Sequence, residues 1–289
     1  MIAVHAVGAD RALTGPSWTH YLIGLAGLAM VRSWDAGDEQ ACERRLAELA
    51  ELTSALGGSR QEVAIVEVGV REGYDAWAAS YESEPNGLMT LSDDTTAALV
   101  ADLPAGSAVD LGCGAGRGLR RLAATGHRVL GVDFSPVMLA KARRQSAGAL
   151  VAGDLAVLPL RSHSVDLVTC TLALAHQPDL GAIAELARVL RPGGHAVLID
   201  VHPMFVLLGG HALAHSDGRM TLVRNHVHPV SAYLAAFAAA GLEVEACVEP
   251  LLGPSEAGAL EISEQLANAV EVAFADVPVL LAWRLRSAC

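Results

Sequence analysis

The sequence predicts an α/β fold with a mostly parallel sheet covered by helices on both faces. Three observations predict it. From about residue 107, short apolar runs alternate with helical patterns. Most of these runs are continuous rather than alternating, as strands buried on two faces must be. The first run ends in a glycine-rich turn, Gly112-Cys113-Gly114-Ala115-Gly116, that opens a helix.

The elements follow in order. The first seventy residues read as helical. Pro16 suits the first turn of a helix through Met30. A second helix is expected over Asp38–Leu56, with Leu46, Leu49, Leu52 and Leu56 on one stripe and Gly57-Gly58 as its stop. Ala108–Leu111 is a buried strand, and a helix runs from the glycine turn through Ala124. Arg128–Val132 is a second strand. Ser135-Pro136 opens the next helix, as N-cap and first helical residue. Leu150–Ala152 and Val165–Leu172 are the third and fourth strands. Asp179–Leu190 is helical and stops at Arg191-Pro192-Gly193-Gly194. Ala196–Val201 is the fifth strand. His202–Pro229 is His-rich and weakly patterned, a candidate lid insertion. Ser231–Ala240 is an Ala-rich helix, Leu242–Glu249 and Val277–Leu285 are strands, and Gly253–Phe274 between them is partly helical. Residues 1–70 thus form a helical extension, a lid or an oligomer contact, ahead of a main domain over 71–289.

Composition narrows the function. The chain has 289 residues, 52 of them Ala and 12 aromatic, so its core is built from small and aliphatic side chains. The net charge is −12, and Lys141 is the only lysine. A nucleic-acid partner is disfavoured, because phosphate binding needs basic excess. Five scattered cysteines without C-x-x-C spacing suit free thiols in a reducing cytoplasm. The N-terminus lacks a signal-peptide pattern, and the longest strongly apolar stretch, Tyr21–Val31, is shorter than the roughly 20 residues of a membrane span. A cytoplasmic protein with no membrane partner is expected.

The glycine turn carries the chemistry. A dinucleotide fingerprint needs Gly or Ala three residues after its second glycine, and here that position is Arg117 or Leu119, depending on register. Asp110, just before the glycines, would repel a pyrophosphate but suit an ammonium group. Asp133, ending the second strand, can accept both hydroxyls of a ribose. Asp154, after the third strand, can accept an exocyclic amine while Leu155 packs on the ring. Both acids also suit ordinary turns.

These residues, with Leu158-Pro159-Leu160, Val165-Asp166-Leu167-Val168 and the Leu190–Gly194 loop, resemble a class I S-adenosylmethionine-dependent methyltransferase. The likeness is to the small-molecule branch of ubiquinone, menaquinone and natural-product methyltransferases, and it covers Tyr74 to Leu198. The resemblance implies a Rossmann-like fold with a mostly parallel seven-stranded sheet, and S-adenosyl-L-methionine as cofactor. It implies that Gly112, Gly114 and Gly116 line the methionine moiety and that Asp110 orients its ammonium. Asp133 would hold the ribose, with Asp154 and Leu155 framing the adenine. Phe134, Met138 and Thr171 would complete the cofactor site. Tyr74 and Tyr81 match a Tyr-rich helix that closes over the cofactor.

Transfer of a sulfonium methyl needs alignment above all, and a base only where the acceptor must lose a proton. His176, His202 and His226 are the candidate bases, and His228 lies beside the last of them. Each is equally readable as a structural histidine. His211 and His215 are read as loop residues, and Arg117, Arg120 and Arg121 as a solvated helix face. The expected activity is O- or C-methylation of a small organic acceptor in specialised metabolism, by a homo-oligomer joined through the N-terminal helices. No metal is expected. The alternative keeps fold and cofactor but uses them for cyclisation or pericyclic catalysis, or for methylation coupled to ring closure. A nicotinamide oxidoreductase and a non-enzymatic binding protein fit less well.

Overall fold

The structure, a computed structural model, describes residues 17–56, 65–81, 86–145, 148–216, 219–253 and 266–288. Pro16, Gly57-Gly58 and residues 254–265 lie outside the described residues.

The main sheet has seven strands in the order β4-β3-β2-β5-β6-β10-β9. These are β2 (Ser107–Leu111), β3 (Arg128–Asp133), β4 (Ala149–Ala152), β5 (Val165–Thr171), β6 (Leu190–Val201), β9 (Leu242–Val248) and β10 (Leu280–Ser287). The first five run parallel, and β10 is antiparallel to both its neighbours. Strand order reverses between β2 and β5, so a crevice opens at their C-terminal ends.

Alternate residues of each central strand enter different cores. Ala108, Leu167, Val197 and Ile199 point to one face and Val109, Val168, Ala196 and Leu198 to the other, all buried. The first face is covered by α1 (Trp18–Asp35), α4 (Gly87–Val100) and α10 (Ala267–Phe274). The second is covered by α7 (Ala182–Val189) and α9 (Val230–Ala239). The helices α5 (Arg117–Ala124) and α6 (Pro136–Gln145) follow β2 and β3.

The N-terminal helices are part of this body. Leu22, Leu25 and Ala29 of α1 belong to the same core as the sheet, close to Ala269 and Ala273 of α10. Small residues on both helices let the backbones approach. In α2 (Glu39–Leu56) the expected leucine stripe holds in part: Leu52 packs against the core, but Leu46 points outward, while Ala41 and Arg45 are buried. The Arg45 guanidinium reaches Glu48 and the Asn268 side-chain oxygen, so a paired arginine occupies a position that hydrophobicity alone would assign to leucine.

Two sequence expectations are corrected. The first seventy residues are not all helical: β1 (Ile65–Val68) is a strand. The weakly patterned stretch 202–229 contains α8 (Pro203–Leu207), β7 (Ala212–Ser216) and β8 (Arg219–Val223). His215 therefore lies in a strand rather than a loop. β1 pairs parallel with β8, and β7 antiparallel with it, making a second three-stranded sheet. Neither segment could show this alone, because a four-residue strand has no readable period without its distant partner. The small sheet presses on α3 (Val70–Trp77). A Cβ at Gly73 would stand 2.2 Å from Val223 Cγ2, so only glycine permits the approach.

Replacement of Ala29 by Leu is expected to destabilise the fold by about 1–3 kcal/mol, through overpacking of the α1–α10 contact. The measurement is the loss of Tm on thermal melting.

Candidate active site

The glycine turn sits at the crevice. Gly112, Gly114 and Gly116 all have positive φ, which side-chain-bearing residues adopt at a cost. The turn is pinned by Gly112 and Cys113 N–H groups, which both donate to Val132 O. It is pinned again by Gly114 N–H, which donates to Asp133 Oδ2 at 2.8 Å.

A cavity of about 280 Å³ lies over these strand ends. It is lined by Gly112 and Gly114, by Asp133, Phe134 and Met138, and by Asp154 and Leu155. Tyr74, Tyr81, Thr171 and His176 close its other side. Beyond the glycine turn it adjoins a compartment of about 360 Å³ that contains Asp110 and Thr169. Gly116 lines neither space; it is the left-handed N-cap of α5. Sequence reasoning missed Val70, Gly153, Leu172, Ala173 and Gln177, which complete the wall. Of these, Leu172 is the least legible: it has φ +56, a left-handed conformation that no local motif announces.

The arginines of α5 form a partly solvated face, as expected, and are also tied to neighbouring helices. Arg117 and Arg121 both pair with Asp93 of α4, at 2.5 and 2.7 Å, and Arg120 bonds Gln145. Arg117 also donates to Met89 O, so α4 is tied down beside the glycine turn. The helix α3 is tied from the other side. Ser135 Oγ donates to Asp75 at 2.5 Å, and Lys141 donates to Ala78 O at 2.8 Å.

The carboxylates sit where their charge is poorly solvated. Asp110 accepts from Thr169 Oγ1 at 2.7 Å, and burial raises its pKa to about 6. Asp133 is raised by burial too, partly offset by the N–H groups of Ser135 and Gly114. Buried acids at adjacent strand ends, beside glycine backbone, form an acceptor set that suits an amino-acid ammonium and a ribose. Asp154 is exposed, and its Oδ1 accepts from Ala156 N–H in a turn.

The histidines separate. His176 follows β5 in a short 3-10 turn, Leu174–His176, and is buried. Asp200, buried at the end of β6, accepts from Ala175 N–H at 2.5 Å and from Leu174 and Val201 N–H, which fixes that turn. His176 Nδ1 lies 3.1 Å from Arg224 O, a pure acceptor, so Nδ1 carries the proton. Nε2 then accepts from the Tyr74 hydroxyl at 2.8 Å. Burial pulls the His176 pKa below its ordinary value, which keeps the ring neutral.

An inner chamber of about 120 Å³ adjoins the first cavity, and Tyr74, Tyr81, Leu172 and His176 line both. His202 lines none of these spaces. Its Nδ1 accepts from Met204 N–H as the cap of α8, and its Nε2 pairs with Glu249 at 3.0 Å. Its capping role arises from Pro203 starting a helix, which the sequence reading overlooked. His226 lines a separate cavity and stacks on His228 at 6.3 Å between ring centroids. Among the described residues, no group of three or more His, Cys, Asp or Glu is placed to hold a metal.

The Asp110 carboxyl gives a pH-dependent expectation. An ammonium ligand favours its ionised form, so affinity for S-adenosylhomocysteine is present above about pH 6 and falls by up to about tenfold per pH unit below it. Calorimetric titration from pH 5 to 8 reads this, and Asp110→Asn is expected to flatten the profile.

Residues 109–198 match a family described as a methyltransferase domain. Malonyl-acyl-carrier protein O-methyltransferase of Enterobacter lignolyticus is 41% identical over 122 residues, 40% of this chain and 47% of that protein. Demethylmenaquinone methyltransferase of Clavibacter sepedonicus is 33% identical over 138 residues, 44% of this chain and 56% of that one. The matched region spans about half the length of these curated relatives. A solved S-adenosylmethionine-dependent methyltransferase from Mesorhizobium loti aligns with a TM-score of 0.51 at 29% identity, over 65% of this chain and 95% of that one. The seven-stranded order, the glycine turn at the switch point and the matched segment together place in this chain a class I S-adenosylmethionine-dependent methyltransferase domain.

Proposed function

We propose that the chain transfers a methyl group from S-adenosylmethionine to an oxygen, or to an acidic carbon, of a small organic acceptor. One observation carries the choice of acceptor atom: a neutral, buried His176 stands in the wall common to the first cavity and the inner chamber, with Nε2 able to take a proton.

S-adenosylmethionine, when bound, supplies an electrophilic sulfonium methyl. The protein's residues do the rest. Asp110 holds the ammonium, and the glycine turn lets backbone approach the methionine chain. Asp133, its two oxygens already fixed by Gly114 and Ser135 N–H, keeps lone pairs for the ribose hydroxyls. Asp154 and Leu155 frame the base. Such positioning is worth effective molarities of about 10⁵–10⁸ M in favourable cases. The acceptor's proton passes to His176 Nε2, which exchanges the Tyr74 hydroxyl for the acceptor hydroxyl as partner. Arg224 O then stabilises the imidazolium through Nδ1–H.

The test is calorimetric binding of S-adenosylmethionine followed by product mass with a phenol panel. Asp133→Ala is expected to weaken cofactor binding about 10- to 100-fold. His176→Gln is expected to lower turnover by about 10²–10⁴-fold. With the native side chain, turnover should rise with pH through a value below 6.5, where His176 becomes neutral, and then level off. His176→Gln should remove that limb while cofactor affinity holds. Absence of cofactor binding overturns the reading, and a product of unchanged mass favours ring closure instead.

A further inference from the structure

The inner chamber does not end at His176. Tyr21, His211, Leu213 and Asn225 line both it and another cavity, of about 470 Å³. That second space lies between the small sheet and the helices α1 and α8. Ile65 of β1, Leu222 of β8 and Val206 of α8 are among its walls. Leu207 and Val227, 72% and 42% exposed, are apolar side chains at its rim. Three spaces thus adjoin in series: the cofactor cavity, the chamber and the space under the small sheet.

Their chemistry differs in a way that selects a ligand. The chamber is lined by no Asp, Glu, Lys or Arg among the described residues. Its two histidines, His176 and His211, are both held below their ordinary pKa by burial, so they are neutral. A carboxylate or ammonium bound there would meet no counter-charge and would lose its hydration uncompensated. Among the described residues that line the outer space, the one Arg or Lys is Arg224, and its guanidinium is taken by both carboxylate oxygens of Glu67. The rest of that wall is mainly apolar. A volume several times that of the chamber, mainly apolar and sharing four wall residues with it, suits a chain rather than a second polar group.

Building on the methyl-transfer reading, we propose that the acceptor has an uncharged hydroxyl-bearing head and an apolar tail. The head occupies the chamber against His176, and the tail threads past Leu213 into the space beneath the small sheet. The small sheet is therefore a specificity element, and Leu213 and Leu222 determine the length of tail accepted.

The test uses para-alkylphenols from methyl to heptyl, titrated by calorimetry into full-length protein saturated with S-adenosylhomocysteine. Affinity is expected to tighten about threefold to fourfold per added methylene until the outer space is full. Leu222→Phe should bring that limit to a shorter chain. Leu213→Trp, closing the neck, should abolish the dependence on chain length, with S-adenosylhomocysteine affinity unchanged in both variants. Matching para-alkylbenzoates are expected to bind at least about tenfold more weakly than the phenols. Thermal melts of both variants establish that they are folded, and either one suffices for the comparison. Normal S-adenosylhomocysteine binding with a flat chain-length series, or a series that neither variant alters, overturns the tail site. A preference for the benzoates overturns the neutral head. Failure to bind S-adenosylhomocysteine at all strikes the methyl-transfer reading itself.

Discussion

The reversal of strand order between β2 and β5 is the constraint from which the site follows. Each central strand buries both faces, so its interior tolerates few polar side chains. Polar chemistry is pushed to the C-terminal strand ends. There Asp110, Asp133 and Asp200 gather at β2, β3 and β6, each with its carboxyl pushed up by burial. A crevice exists only because crossover connections leave β2 and β5 in opposite directions.

The three acids divide the work. Asp110 and Asp133 face spaces large enough for a ligand. Asp200 faces backbone: its oxygens hold Ala175 and Val201 N–H, and through the first of these the turn that presents His176. An acid placed to hold a loop and an acid placed to hold a ligand have the same sequence signature, an aspartate after an apolar run. They are told apart by what stands opposite them.

The parts added to the central sheet are more closely joined to the site than their sequence suggests. The helix α1 lends Tyr21 to both the chamber and the outer space, and the small sheet lends Leu213. Between them, α3 carries Tyr74 and Trp77 into the chamber wall. Its position is set by Gly73 against Val223 on one side and by Asp75 and Ala78 against α6 on the other. Tyr74 can meet His176 because these contacts, made by residues from four parts of the chain, agree.

The sequence by itself determined the parallel sheet, the glycine turn and the acids at the C-terminal ends of β2, β3 and β4, because each is written within a few neighbouring residues. Strand burial, turn conformation and helix capping are local constraints, and a local pattern records them. Tertiary structure alone decided which histidine lines both the first cavity and the chamber. His176, His202 and His226 are alike in sequence, yet one meets Tyr74, one caps a helix and one lines the outer space. The same holds for the small sheet, whose first strand lies about 150 residues from its partner. Pairing across that separation, and the left-handed backbone at Leu172, arise from contacts that no short segment contains.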